Sequence, residues 1–207
     1  ATAMSMRLQI DIYRTQLSHQ HQQYYLYAQG IQSYAVALLR QDKLPNLPYE
    51  FNHLSLGINR FEAKGILNDA QAYYNLNNLA ERDGILPFVR LILSIDPTIS
   101  EQRAHQIAEH LHYRIAQQRI PFVITTELLD IHIIPESLAT KLMPYITALP
   151  ETTPININTA PATILRTLAA GLTEQQVQMI IQVRQQQKQF KSLDDFFSNN
   201  ELALLKI

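Results

Sequence analysis

The chain lacks cysteine and tryptophan altogether and has only five glycines among its 207 residues. The absence of cysteine excludes disulfide bonds, cysteine nucleophiles and thiolate metal sites. Charged residues are scarce, at 17%, and the net charge of −1 predicts no overall attraction to nucleic acid or anionic lipid. No run of about 18 apolar residues is present, so the sequence as given is not expected to span a membrane.

What the chain does have is an apolar content of 46%, and its 207 residues are enough for one large or two small domains. Residues 1–40 contain no proline and a single glycine, and apolar side chains recur there at intervals of three to seven residues. This pattern predicts one long amphipathic helix. Its abrupt, already helical start is typical of a segment cut from a longer protein.

A change of pattern follows the helix. Pro45 and Pro48 end it, and alternating residues between 49 and 79 predict short strands with turns. From residue 83 onward helices dominate. Ser100 is predicted to cap a helix with an apolar stripe, made of Ala104, Ile107, Ala108, Leu111 and Ile115. Thr125 or Thr126 is predicted to cap a short turn, and Pro135 to open a further helix. The switch near residue 80 is the only boundary that the pattern indicates.

The stretch 155–197 predicts two short helices joined by a tight turn. Asn158 and Thr159 are expected to cap the first helix, with Pro161 in its first turn. Gly171 supplies a residue able to adopt the left-handed conformation that ends a helix. Thr173 and Gln176 fit a capping box for the second helix, and Ser192 with Asp195 fit one further capped turn.

Such a stretch also resembles the helix-hairpin-helix DNA-binding module, whose turn amides contact phosphate while flanking basic residues neutralise it. Here the turn has one glycine and carries Glu174. Four basic residues face four acidic ones between 151 and 197, which leaves no positive field. DNA binding is therefore retained only as the alternative function, and no nucleic acid partner is expected.

The sequence offers little chemistry for an enzyme. His105 and Glu109 have the spacing of two metal ligands on one helix face, but no third ligand is evident, so a polar face is the better interpretation. Asp194 and Asp195 are explained by capping and the helix dipole. Arg184 is expected to bridge or cap within the hairpin. No phosphate loop or nucleophile elbow is present, and we predict no catalytic, cofactor or metal residues.

Several stretches, in order along most of the chain, resemble minor pseudopilin K of the type II secretion system (the general secretion pathway protein K family). The similar segments are 65–69 followed by 74–79, 122–129, 138–149, 155–160 with the sequence ININTA, and Arg184 with residues 190–196. The family's acidic Trp-x-Asp-x-Asp stretch is replaced by residues 111–116, LHYRIA. Calcium, which that stretch can bind in the family, is therefore not expected here.

The resemblance implies an α+β fold: a pilin-like long N-terminal helix packed on a small antiparallel sheet, with an inserted helical domain containing a helix-hairpin-helix-like element. It implies a pilin-like helix and strands in 1–82, the helical domain in 83–198 and a return toward the sheet in 199–207, where the chain looks truncated. On such a helix Tyr24, Ile31 and Leu38 are expected in the core. The tyrosines expected to contact a partner are Tyr13, Tyr25, Tyr27 and Tyr34.

The same resemblance implies the role of a non-enzymatic minor pseudopilin. The expected partners are the I-type and J-type minor pseudopilins, in a complex at the pseudopilus tip, and secreted substrates. The expected location is the inner membrane of a Gram-negative bacterium. This fragment would lie in the periplasm, and a removed N-terminal helix would anchor the full protein.

Overall fold

The computed structural model describes residues 2–40, 48–56, 61–187 and 190, and side chains for all of these except 2–5, 51–56, 61–63 and 187. The chain forms two compact units, Ala1–Asn68 and Asp69–Ile207. The division lies earlier than the 82/83 boundary expected from the resemblance, because the Asn-rich segment after residue 69 packs with the helices that follow it. Among the described residues no helix is both long and apolar enough to cross a membrane.

The described residues of the first unit form one helix and one hairpin. Helix α1 spans Thr2–Leu39, which confirms the long N-terminal helix. Strands β1 (Tyr49–Leu56) and β2 (Phe61–Leu67) pair antiparallel, with Tyr49 opposite Leu67 and an irregular register between Phe51 and Leu54. Helix α1 contacts β1, so this unit has the helix-on-sheet arrangement that the sequence predicted.

Only the last third of α1 is packed. Every side chain from residue 6 to residue 26 is exposed. The half-buried residues form a stripe at helical spacing: Tyr27, Gly30, Ile31, Tyr34, Ala35 and Leu38. The core assignment therefore agrees for Ile31 and Leu38, which are half-buried. It is wrong for Tyr24, which is 61% exposed because it lies beyond the packed end of the stripe.

The second unit, over 69–187 and at 190, is a helical domain with one short strand pair. Its helices are α2 (Ile85–Ile95), α3 (Glu101–His112), α4 (Glu136–Leu142), α5 (Ala162–Leu165) and α6 (Glu174–Gln187). Strand β3 (Tyr74–Asn75) pairs parallel with β4 (Ile146–Thr147). Short 3-10 turns span Ala70–Ala72, Leu76–Ala80, Arg82–Gly84, Thr125–Asp130 and Met143–Tyr145.

The core of this unit centres on α2 and α3. The Ser100 hydroxyl accepts a hydrogen bond from the backbone N–H of Arg103, so the predicted cap of α3 is confirmed. The predicted stripe is also confirmed, because each of its members is buried: Ala104, Ile107, Ala108, Leu111 and Ile115. Pro135 directly precedes α4, as predicted. Apolar periodicity thus located the main packing layer correctly.

One predicted cap is wrong. Neither Thr125 nor Thr126 caps the turn that begins there. Instead the carboxylate of Glu127 reaches back and accepts hydrogen bonds from the backbone N–H groups of Val123 and Ile124, at 2.8 and 3.2 Å. A carboxylate can accept several hydrogen bonds at once, and these bonds lower the pKa of Glu127, with Arg114 contributing in the same direction.

Candidate functional site

Three asparagines, Asn75, Asn77 and Asn78, form a structural corner that we call the asparagine corner. The Asn75 side chain accepts hydrogen bonds from the N–H groups of Asn77 and Leu149, and donates to the carbonyl of Glu151 at 2.7 Å. Asn75 is only 1% exposed. Because a side-chain amide donates and accepts as a peptide group does, Asn75 holds the segment that follows β4 through Leu149 and Glu151.

Asn77 and Asn78 make matching pairs of bonds to two other segments. The Asn77 amide accepts from the N–H of Phe122 at 2.8 Å and donates to its carbonyl at 2.9 Å, and it donates to the carbonyl of Leu149 at 2.7 Å. The Asn78 amide accepts from the N–H of Thr153 and donates to its carbonyl, both at 2.8 Å. One 3-10 turn therefore holds segments that lie 45 to 75 residues away.

A glycine completes the asparagine corner. A Cβ atom at Gly84 would lie 2.2 Å from the carbonyl oxygen of Asn78. The Gly84 carbonyl in turn accepts a hydrogen bond from the hydroxyl of Tyr74, at 2.7 Å. Tyr74 is 1% exposed, and burial raises its pKa. Close backbone approach explains why this position is glycine.

A second polar cluster surrounds the loop of residues 156–160, the last five residues of the ININTA sequence. Asp69 accepts hydrogen bonds from the Asn156 amide at 2.7 Å and from the Thr159 hydroxyl at 2.6 Å. The predicted capping of α5 by Asn158 and Thr159 is therefore wrong. The Thr159 hydroxyl is engaged by Asp69, and the N-cap position of α5 is Pro161. The Asp69 carboxylate also caps the turn Ala70–Ala72, so it joins this turn to the distant loop.

The other side of the 156–160 loop is held by α6 and Phe190. The Arg184 guanidinium donates to the carbonyls of Ile157 and Ala160 at 3.1 and 2.9 Å, which confirms its bridging role. Burial lowers the pKa of Arg184. Asn158 accepts from the N–H of Phe190 at 2.7 Å and donates to its carbonyl at 3.0 Å. The loop thus ties the first residue of the helical unit to its last described one.

The hairpin between α5 and α6 has its predicted turn chemistry. Gly171 has φ +81°, the left-handed conformation. Gln176 accepts from the Thr173 backbone N–H at 2.8 Å, and its own N–H donates to the Thr173 hydroxyl at 3.3 Å, which confirms the capping box. The third capped turn, at Ser192 and Asp195, lies outside the described residues, as do Asp194 and the predicted return in 199–207.

The charges of this hairpin do not favour phosphate binding. Arg166 forms an ion pair with Glu174, and Arg184 is occupied by two backbone carbonyls. Duplex binding needs basic side chains free to neutralise phosphates. The two described arginines of the hairpin are already engaged inside the protein, which weighs against the DNA-binding alternative.

The chemistry considered for His105 and Glu109 finds no support in the geometry. Over the part of the chain that the structure describes, no three His, Asp or Glu side chains are placed to hold a metal ion. His112, on the same helix, forms a 2.7 Å hydrogen bond with the carbonyl of Leu79 instead.

The predicted partner tyrosines fall into two groups: Tyr13 and Tyr25 are 64% and 65% exposed, while Tyr27 and Tyr34 are half-buried. Their contact with a partner stays a prediction.

The helix-on-hairpin unit followed by a helical domain defines a pilin-like α+β protein. The comparisons agree. The chain matches a chain of the crystal structure of the GspK-GspI-GspJ complex from the enterotoxigenic Escherichia coli type 2 secretion system, with a TM-score of 0.63 and 21% sequence identity, over 92% of this chain and 79% of that one. The predicted fold class is therefore confirmed.

A family model carries the assignment further than the fold. Residues 155–206 match the family described as type II secretion system protein K. Through this segment the chain bears the signature of the type II secretion protein K family, which confirms the resemblance found in the sequence. The matched segment begins at residue 155, next to the 156–160 loop. The hydrogen bonds of this loop join it to Asp69, Arg184 and Phe190. No curated protein matches the chain significantly.

Proposed function

We propose that this chain is the periplasmic part of a minor pseudopilin. It assembles with I-type and J-type minor pseudopilins into the tip of the type II secretion pseudopilus and supports protein secretion across the outer membrane. In the intact protein a preceding helix anchors it in the inner membrane. The role is assembly and not catalysis, and the family signature at 155–206 supports this reading.

The observation that carries the proposal is the exposed length of α1. Nine large apolar side chains between residues 6 and 26 are 42–68% exposed: Met6, Leu8, Ile10, Ile12, Tyr13, Leu17, Tyr24, Tyr25 and Leu26. Burying one such side chain contributes roughly 1.5–3 kcal/mol. One face of α1 carries five of these side chains at helical spacing: Met6, Ile10, Tyr13, Leu17 and Tyr24. An exposed apolar face of this kind marks an interaction site, and a partner can cover it by helix packing.

Site-specific photo-crosslinking in secreting cells tests the proposal. A photoreactive residue at Tyr25 is expected to form adducts with the I-type or J-type pseudopilin, and the same residue at Gln102, exposed on α3, serves as the control. Deleting the gene is expected to block secretion of type II substrates. Equal adducts from both positions, or normal secretion without the gene, would contradict the proposal.

A further inference from the structure

A strained loop follows α3. Residues Tyr113–Gln117 form a π-helical turn, and Arg119 has φ +58°. A non-glycine residue with this backbone conformation is uncommon. Such strain persists only where surrounding contacts enforce it, and it clusters at functional sites. We call residues 119–124 the 119–124 loop.

The 119–124 loop is held to the core by contacts of its buried residue Phe122. Phe122 is 2% exposed, and both its N–H and its carbonyl are bonded to the Asn77 amide. The Arg114 guanidinium lies 4.3 Å from the centre of the Phe122 ring. The loop is therefore fixed to the core through its middle residue.

Backbone N–H groups of the 119–124 loop are bonded within the protein. The N–H groups of Val123 and Ile124 are bonded to Glu127, and that of Ile120 is bonded to the carbonyl of Arg114 at 3.1 Å. A partner strand would need free backbone donors here. With the N–H of Phe122 bonded to Asn77 as well, these four backbone donors are used inside the protein, and the side chains are the groups through which we expect recognition.

Those side chains are aliphatic and exposed. Val123 is 77% exposed, Ile124 57% and Ile120 49%. Scattered exposed aliphatic residues are ordinary, but here three lie within five positions of a rigid loop. All three are β-branched and have few side-chain conformations to lose. A partner that packs against them therefore causes little loss of side-chain conformational entropy.

One unpaired cation accompanies this apolar surface. Arg119 is exposed, and within the described residues it makes no hydrogen bond or ion pair. It is the only ionisable residue between 116 and 126. The two flanking charges, Arg114 and Glu127, neutralise each other at 2.6 Å. The loop therefore presents aliphatic groups beside a single free positive charge.

We propose that the 119–124 loop is a docking site for a protein segment that carries an apolar side chain next to a carboxylate. The apolar side chain packs on Val123 and Ile124, and the carboxylate pairs with Arg119. Charge complementarity selects an acidic segment, and the internally bonded backbone makes the site ready-formed. This inference uses the helical unit alone and does not depend on α1 or on the pseudopilin assembly.

The test places a photoreactive residue at Val123 of the full chain in cells that produce it, and the adduct is identified by mass spectrometry. We expect a peptide with Asp or Glu beside the modified apolar residue. Arg119→Glu is expected to lower the adduct yield about 1.5- to fivefold, the range for exposed ion pairs. Arg82→Glu, another exposed and unpaired arginine of the unit, is the control and is expected to change nothing.

Three results would overturn the docking site: no adduct, an adduct with lipid or with a peptide lacking acidic residues, or a yield unchanged by Arg119→Glu. Circular dichroism of each variant checks that the fold is intact. Complex formation with the I-type and J-type proteins is measured separately. A lost complex with a persisting, Arg119-dependent adduct would refute the pseudopilin role and leave the docking site standing.

Discussion

Replacing Asn77 with alanine should be among the most damaging single changes in the helical unit. Asn77 is 3% exposed. Its removal leaves the N–H and carbonyl of Phe122, and the carbonyl of Leu149, without their partner. Leu149 is half-buried, so water can replace the lost bond there. The two Phe122 groups are buried and have no such replacement.

The expected cost follows from those two groups. Each buried polar group left unsatisfied costs about 1–3 kcal/mol, so the free energy of unfolding should fall by about 2–6 kcal/mol. For a unit of this size each kcal/mol lowers the melting temperature by about 3 °C, which gives a fall of roughly 6–18 °C.

Thermal unfolding followed by far-ultraviolet circular dichroism measures this change, since the chain has no tryptophan for fluorescence. Gln102→Ala is the matched control, because Gln102 is exposed on α3 and its side chain makes no hydrogen bond within the described residues. If the two variants melt within error of each other, the asparagine corner does not stabilise the unit as argued.

Asn77→Asp adds a test with a definite sign. The carboxylate would keep the Phe122 N–H bond but face two carbonyls without a proton to donate. Burial and those carbonyls should raise its pKa above the ordinary value of about 3.9. An acid whose folded-state pKa is raised loses stability as pH increases through that range. The stability of Asn77→Asp should therefore be nearer that of the wild type at low pH and lowest at neutral pH. The stability of Asn77→Ala should show no such recovery at low pH.

Three further changes probe other parts of the helical unit. Gly84→Ala should lower the melting temperature despite alanine's better helix propensity, because the new Cβ overlaps the Asn78 carbonyl; an unchanged value would argue against close packing there. Hydrogen bonds from Lys141 and then Thr98 lower the pKa of Asp96 from 3.8 to about 2. This contribution is full above the unfolded pKa and is lost as pH falls toward 2, so Asp96→Asn should flatten acid unfolding in that window; an unaltered profile would refute it. Arg184→Gln should destabilise the unit by about 1–3 kcal/mol in urea titrations, and no change would mean that water satisfies the carbonyls of the 156–160 loop.

Features set by neighbouring residues could be predicted from the sequence. The Ser100 cap, the stripe on α3, the left-handed Gly171 and the capping box of Thr173 with Gln176 all depend on spacings of a few residues. Helical periodicity and side-chain capping act locally, so a single sequence contains the information. The long helix α1 could be predicted from the sequence for the same reason.

Features set by distant residues could not. The Thr159 hydroxyl is available to cap α5 in the sequence, but in the fold it binds Asp69, ninety positions earlier. Likewise nothing near Asn77 indicates that its amide will bind Phe122. Tyr24 fits the apolar period of α1, yet the packed stripe begins only at Tyr27, because the extent of the contacting surface decides where burial starts. Long-range bonds of the asparagine corner join residues 45 to 76 positions apart, so no local pattern predicts them.

The most direct test of the assembly role is size-exclusion chromatography with light scattering of this chain mixed with the soluble I-type and J-type minor pseudopilin domains. Our account predicts a stable complex with the mass of all three proteins, weakened when Tyr13 and Tyr25 are both replaced by alanine and unaffected by Gln102→Ala. Elution of this chain alone at every micromolar concentration tried would contradict it.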